Sequence, residues 1–177
     1  MMGNSQLVEY GIIQEESDYR AHVCPTSGKI YIFPTARMLD LVLKKQYESR
    51  PVYTGSILTA RGYLVPVTDI DDFTKTYTPS TGLWNMFGLD EKQSTSVKGQ
   101  KAVDMVCALI RRGILQLPYV AEETDNFDLQ VKGVDIYLNL KIHIQVKCDF
   151  NGGKSKNGRG TGNLFIQTHE CNPHGQY

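Results

Sequence analysis

The sequence lacks a long apolar run, an excess of basic residues and paired cysteines, and each absence removes a class of function. No uncharged apolar stretch approaches the ~20 residues a membrane helix needs. The N-terminus has no basic segment followed by an apolar core, so a secretory leader is not expected. Cys24, Cys107, Cys148 and Cys171 are scattered without a CxxC pair, which argues against a structural zinc site and a disulfide framework. The expected setting is therefore a reducing cytoplasm with no membrane partner. Lys+Arg and Asp+Glu both number 19, for a net charge of zero, so bulk electrostatics does not advertise nucleic-acid binding. Residues 1–93 carry 9 basic against 11 acidic side chains and the remainder 10 against 8, an asymmetry too small to mark a basic domain. Any contact with DNA must come from a local concentration of charge, and Lys154, Lys156 and Arg159 supply one.

What is present is enough apolar residue, 41% of 177, for a sizeable core, together with a change of period along the chain. Residues 1–93 are rich in Tyr, Thr and Pro and contain β-like runs, KIYIF at 29–33, SILT at 56–59 and YLVPV at 63–67. Between them Pro34 and Thr35 start a helix expected over about 35–49, with Met38, Leu39, Leu41, Val42 and Leu43 on its apolar side. Its Arg37, Lys44 and Lys45 read as a solvated side rather than a DNA-recognition surface. The turn-rich segment 79–100 reads as a junction pinned to the core by Trp84, Met86 and Phe87. A second helix is expected over roughly 96–112, where Val103, Val106, Cys107, Ile110 and Ile114 recur at helical spacing and Gly113 suits the stop. From there the period becomes two: 114–120, 129–138, 141–150 and 163–170 read as strands. The prediction is an α+β, or mixed α/β, fold with an N-terminal β-rich lobe over 1–93 and a core over 94–177.

The run GVDIYLNLKIHIQVKCDF carries the chemistry. A hairpin with its turn centred on Leu140 sets Ile136 opposite Ile144, Tyr137 opposite His143 and Asp135 opposite Gln145. Side chains alternate along a strand. Asp135, Tyr137, His143, Gln145, Lys147 and Asp149 then project from one face, and Ile136, Leu138, Ile142, Ile144, Val146 and Cys148 from the other. A carboxylate and an amide carbonyl facing each other suit a hard divalent cation, Mg²⁺ or Mn²⁺. Lys147, two residues on, is placed to orient a water or to offset charge developing on a phosphate. A solvated hairpin face is the plain alternative for the same pattern.

Asp135, nine intervening residues and Gln145-x-Lys147 resemble the PD-(D/E)XK nuclease superfamily in its variant with Gln at the second acidic position. The resemblance covers about residues 96–170, and KGQKAVDMVCALIRRGI is similar to the opening helix of Holliday-junction-resolvase-like and restriction-endonuclease-like members. It implies a central mixed sheet flanked by helices, Mg²⁺-dependent hydrolysis of DNA by Asp135, Gln145 and Lys147, and a homodimer. The chain departs from the pattern at Gln145 and at Val103, where resolvase-like members often carry Glu; Asp104 stands one step away. Asp149 is the preferred additional metal ligand, with Asp128, Glu170 and Asp104 as further acids and His143 as an accessory group. The Gly-rich stretch 151–162, bearing Lys154, Lys156 and Arg159, is expected to follow a phosphate backbone. The residues before 94 would then serve substrate recognition or dimerisation. The alternative function is a non-catalytic nucleic-acid-binding or assembly protein that keeps the nuclease fold.

Overall fold

A computed structural model of the chain describes residues 17–115, 117, 128–139, 141–153 and 162–169. The N-terminal strand β1 (Tyr19–Cys24) turns at Gly28 into β2 (Lys29–Pro34), an antiparallel hairpin. Gly28 has φ +71° and donates its amide to the Cys24 carbonyl at 2.9 Å, a turn that disfavours a side chain. Helix α1 (Thr35–Lys44) follows, burying Met38, Leu39 and Val42. It is shorter than the expected 35–49, because the apolar repeat ends at Leu43 and Lys45 is already extended. Strand β3 (Ser49–Thr54) then pairs with β4 (Ile57–Pro66), which unites the expected runs at 56–59 and 63–67 in one long strand.

A short strand β5 (Lys75–Tyr77) leads to α2 (Thr81–Phe87) inside the expected junction. Ser80 caps this helix through its hydroxyl, which accepts from the Leu83 amide at 3.2 Å, and Gly88 ends it in the left-handed region. Trp84 and Phe87 do pack against the core, but Met86 is 64% exposed. Helix α3 (Thr95–Arg111) matches its expected span within a residue and is capped by Ser94. Ile114 falls outside it and is exposed, so the apolar series stops a turn earlier than its spacing suggested. Of the strand expected at 114–120, Ile114 and Leu115 are not in a strand and most of the rest lies outside the described residues.

The remaining strands are β6 (Leu129–Lys132), β7 (Asp135–Leu138), β8 (Ile142–Cys148) and β9 (Asn163–His169). The run 129–138 is thus two strands. Gly133, at φ +63°, breaks it into a hairpin with Lys132 opposite Asp135. Two sheets result, a six-stranded one in the order β5-β2-β1-β8-β7-β6 and a three-stranded one in the order β3-β4-β9. The larger sheet is mixed, because β1 lies parallel to β8 and its other pairings are antiparallel. Both sheets draw strands from either side of residue 93, so that boundary does not divide the sheets. The fold class is α+β. No helix among the described residues is long and apolar enough to cross a membrane.

Two apolar clusters hold these layers together. Helix α3 lays Ala102, Val103, Val106, Leu109 and Ile110 on one face of the large sheet, against Ala21, Val23, Ile30, Ile32, Ile136, Ile144 and Val146. On the opposite face, at β2, Tyr31 and Phe33 meet Met38, Leu39 and Val42 of α1 and Val65, Leu164 and Ile166 of the small sheet. Strand β2 is therefore buried on both sides, which is why KIYIF reads as a nearly continuous apolar run. Full burial of each such side chain contributes about 1.5–3 kcal/mol.

Strand β9 does not pair with β8, its predecessor in the chain. One edge of β8 is taken by β7 and the other by β1, so β9 crosses to β4 in the small sheet. There the Phe165 ring lies over Gly62, and a β-carbon at residue 62 would fall 1.8 Å from its Cζ. Gly62→Ala should destabilise the protein by about 1 kcal/mol, from overpacking that outweighs the gain of replacing a strand glycine. In a Phe165→Ala background the same change should be neutral or stabilising. Urea unfolding of the four variants checks this, and an unchanged sign in both backgrounds would refute the steric account.

Candidate functional site

The candidate site begins with the hairpin β7–β8. Its register is Asp135 to Gln145, Ile136 to Ile144, Tyr137 to His143 and Leu138 to Ile142. Ile136, Leu138, Ile144 and Val146 are buried under α3, while Asp135, Tyr137, His143, Gln145 and Lys147 stand on the other face, each partly exposed. Two apolar faces would have sunk the hairpin in the core; the alternation leaves one face for chemistry.

His143 stacks on Tyr137, centroids 4.6 Å apart at 15°, and its Nε2 is hydrogen-bonded to Asp135 Oδ1 at 2.7 Å. Asp135 therefore has one carboxylate oxygen engaged by a ring that is itself held by a cross-strand aromatic. The His143 amide donates to Asp18 Oδ2 at 2.8 Å, just before β1 begins. Lys132 stands beside Asp135 in register on the far side, exposed.

Strand β1 completes the row on the inner side. Arg20 pairs in register with Gln145, and His22 with Lys147. Arg20 is only 2% exposed and donates from Nη1 to the Gln167 carbonyl of β9 at 2.9 Å, tying the two sheets together. Between them opens a cleft of about 430 Å³ lined by Arg20, His22, Lys147, Asp149, Asn163 and Phe165, among others. Arg20 and His22 escape sequence reasoning because YRAHVC is short and two of its alternate positions are polar, which reads as an exposed edge. The only available signal is that Tyr19, Ala21 and Val23 alternate with them.

The other expected residues fall elsewhere. Asp149 does not join Asp135 and Gln145: it lies four residues past Gln145, ~13 Å at about 3.3 Å per residue, whereas ligands of one ion sit about 2.0–2.6 Å from it. Its carboxylate instead accepts the Asn151 amide at 3.0 Å and those of Phe165 and Gly152. Burial pushes this carboxyl up, against the pull of those amides. Asp104 is exposed on α3, across the sheet from the site, and accepts from Gln100 Nε2 at 2.9 Å. Asp128 sits at the opposite end of β7 from Asp135, where Asn139 Oδ1 accepts its amide at 2.8 Å. Lys154, Lys156, Arg159, Glu170 and Cys171 lie outside the described residues. Cys148 packs against the α3 cluster and burial pushes its thiol up to about 11, so it is a packing residue and not a nucleophile.

Among the described residues no group of three or more His, Cys, Asp and Glu is placed to hold a metal ion. Asp135 and Gln145, directly opposed on adjacent strands, have β-carbons about 4.5–5.5 Å apart, close enough for one oxygen of each to reach a common ion. A Mg²⁺ held by one or two protein oxygens, with water and phosphate completing its shell, fits such a donor pair. Comparison with protein-family models, with curated proteins and with solved structures finds no match to this chain.

Proposed function

We propose that this chain is a divalent-metal-dependent deoxyribonuclease of the PD-(D/E)XK kind, with a restriction- or resolvase-like core, acting on DNA in the cytoplasm as a homodimer. The observation that carries the reading is the register of Asp135 with Gln145, with Lys147 next along the same face and α3 covering the other. When bound, the ion would polarise the scissile phosphate and lower the pKa of a water.

Asp135 and Gln145 would hold that ion, and His143 fixes the orientation of the Asp135 carboxylate. Lys147 supplies positive charge at the cleft side, where it offsets charge building on the phosphate. Arg20 is a second cation in the same cleft, already positioned by the Gln167 carbonyl, so little reorganisation accompanies the reaction. The protein should nick supercoiled plasmid in Mg²⁺ or Mn²⁺ and not in chelator, and Gln145→Glu should raise the rate by restoring a second carboxylate. Comparing four-way junctions with linear duplex separates a resolvase from a restriction-type enzyme.

One observation favours a second reading, a nucleic-acid-binding protein without turnover. Asp135 Oδ1 is already taken by His143, and Gln145 brings no charge. Absence of both Mn²⁺ binding and cleavage of any of these DNAs would establish that reading over the first.

A further inference from the structure

His22 is the group in the cleft that the hairpin site leaves unused. It is 2% exposed, and both ring nitrogens are buried without a hydrogen-bond partner among the described residues. Its ring leans on Phe33, centroids 5.3 Å apart, which satisfies its carbon face and not its nitrogens. Burial, with Arg20 and Lys147 close by, pushes its pKa down to about 3, so the imidazole is neutral and offers one N–H donor and one lone pair. Buried polar side chains are nearly always partnered, so two unmet nitrogens on the wall of a cleft point to a ligand.

The rest of the wall says what kind. Arg20, Arg50 and Lys147 bring three cations, against one carboxylate, Asp149, that backbone amides already hold. Phe165 presents a ring that Gly62 allows to lie flat against β4, and Asn163 adds a side-chain amide. Cations suit phosphate, an aromatic face suits any base, and an amide with a neutral imidazole suits edges that carry both donors and acceptors. The volume, about 430 Å³, is that of a site for one small molecule.

We propose that this cleft holds one nucleotide of the DNA strand, its phosphate toward Arg20 and Lys147, its base stacked against Phe165 and the base edge toward His22 and Asn163. The proposal rests on the nuclease reading for the identity of the strand, but binding requires neither metal nor turnover. The nucleotide next to the reacting phosphate would leave the base stack and enter the cleft, as enzymes that must read a base outside the duplex arrange.

The test uses the full chain in chelator, following the His22 ring resonances by NMR and assigning them by their loss in His22→Gln. Oligo-dT and thymidine 5′-monophosphate should each shift them, and unphosphorylated thymidine should bind at least tenfold more weakly than the monophosphate. Phe165→Leu should weaken oligo-dT binding about tenfold, with Phe165→Tyr restoring it. Unmoved His22 resonances at saturating oligo-dT overturn the proposal, even where Mg²⁺-dependent cleavage is intact. A shift with the monophosphate alone overturns the strand assignment, and equal binding of thymidine overturns the phosphate contact. His22 shifts in a protein that cleaves no DNA with any metal would support the cleft while removing the nuclease reading.

Discussion

Lys147→Ala is expected to lower Mg²⁺-dependent DNA cleavage by about 100-fold to 1,000-fold, the usual loss when one preorganised group that meets transition-state charge is removed. The side chain stands at the junction of the hairpin face and the cleft, in register with His22, so it can reach a phosphate held from either side. It is partly exposed, and truncating it opens no cavity in either apolar cluster. The urea midpoint should therefore stay close to that of the parent protein. Asp135→Ala should lose as much activity for a different reason, since it removes the only carboxylate of the proposed ion site and releases His143 from its 2.7 Å bond. Asp135→Asn separates these effects, because it keeps a hydrogen-bonding oxygen for His143 and loses the charge. Single-turnover nicking, read beside circular dichroism, makes the measurement. Full activity in Lys147→Ala or Asp135→Ala would remove the hairpin face from the chemistry.

The second large effect is on stability. The His22 pKa falls from 6.5 to about 3 in the fold, so below pH 6.5 the unfolded chain takes up a proton that the folded protein refuses until about pH 3. The unfolded state then binds more protons, and stability falls as pH falls through that window. The contribution is complete above pH 6.5. One unit of pKa difference is worth about 1.4 kcal/mol, so His22 alone should cost about 2 kcal/mol between pH 7 and pH 5. Asp149 acts in the opposite sense. Its raised pKa lets the folded protein keep a proton that the unfolded chain releases above 3.8, so its stabilising contribution is present at low pH and is lost as pH rises. Urea unfolding at pH 7 and pH 5 should give a fall in the parent protein that exceeds the fall in His22→Gln by about 2 kcal/mol. In the folded parent protein the His22 ring should remain neutral at pH 5 by NMR. Equal falls in the two proteins, or a protonated His22 at pH 5, would refute the linkage.

The hairpin could be read from the sequence because its information is local. A period of two over GVDIYLNLKIHIQVKCDF chooses which residues share a face, and a short turn sets the register, so Asp135 opposite Gln145 needed no distant residue. Helix α3 was legible for the same reason, with an apolar stripe at helical spacing and a clear stop. The joining of the expected runs at 56–59 and 63–67 into β4 was not, because the residues between them, Ala60, Arg61 and Gly62, lack a strong strand signal. Likewise Gly133 was one residue in a long β-like run, and only the pairing of Lys132 with Asp135 marks it as a turn.

Tertiary structure alone decided what stands next to the hairpin. The parallel pairing of β1 with β8 joins residues separated by more than a hundred positions, and no local pattern encodes which strand fills a free edge. That pairing puts Arg20 and His22 beside Gln145 and Lys147, and the crossing of β9 to β4 raises Phe165 and Asn163 as the opposite wall of the cleft. Asp149 shows the same limit from the other side. Alternation placed it on the polar face, but the turn after β8 supplied the amides of Asn151 and Gly152, and β9 that of Phe165, to engage its carboxylate. The sequence by itself determined an α+β fold and a hairpin with one apolar and one polar face, because periodicity and turn chemistry act over a few residues. Burial of His22 and the existence of the cleft were settled only by long-range packing, where the same polar alternation can face solvent or another sheet.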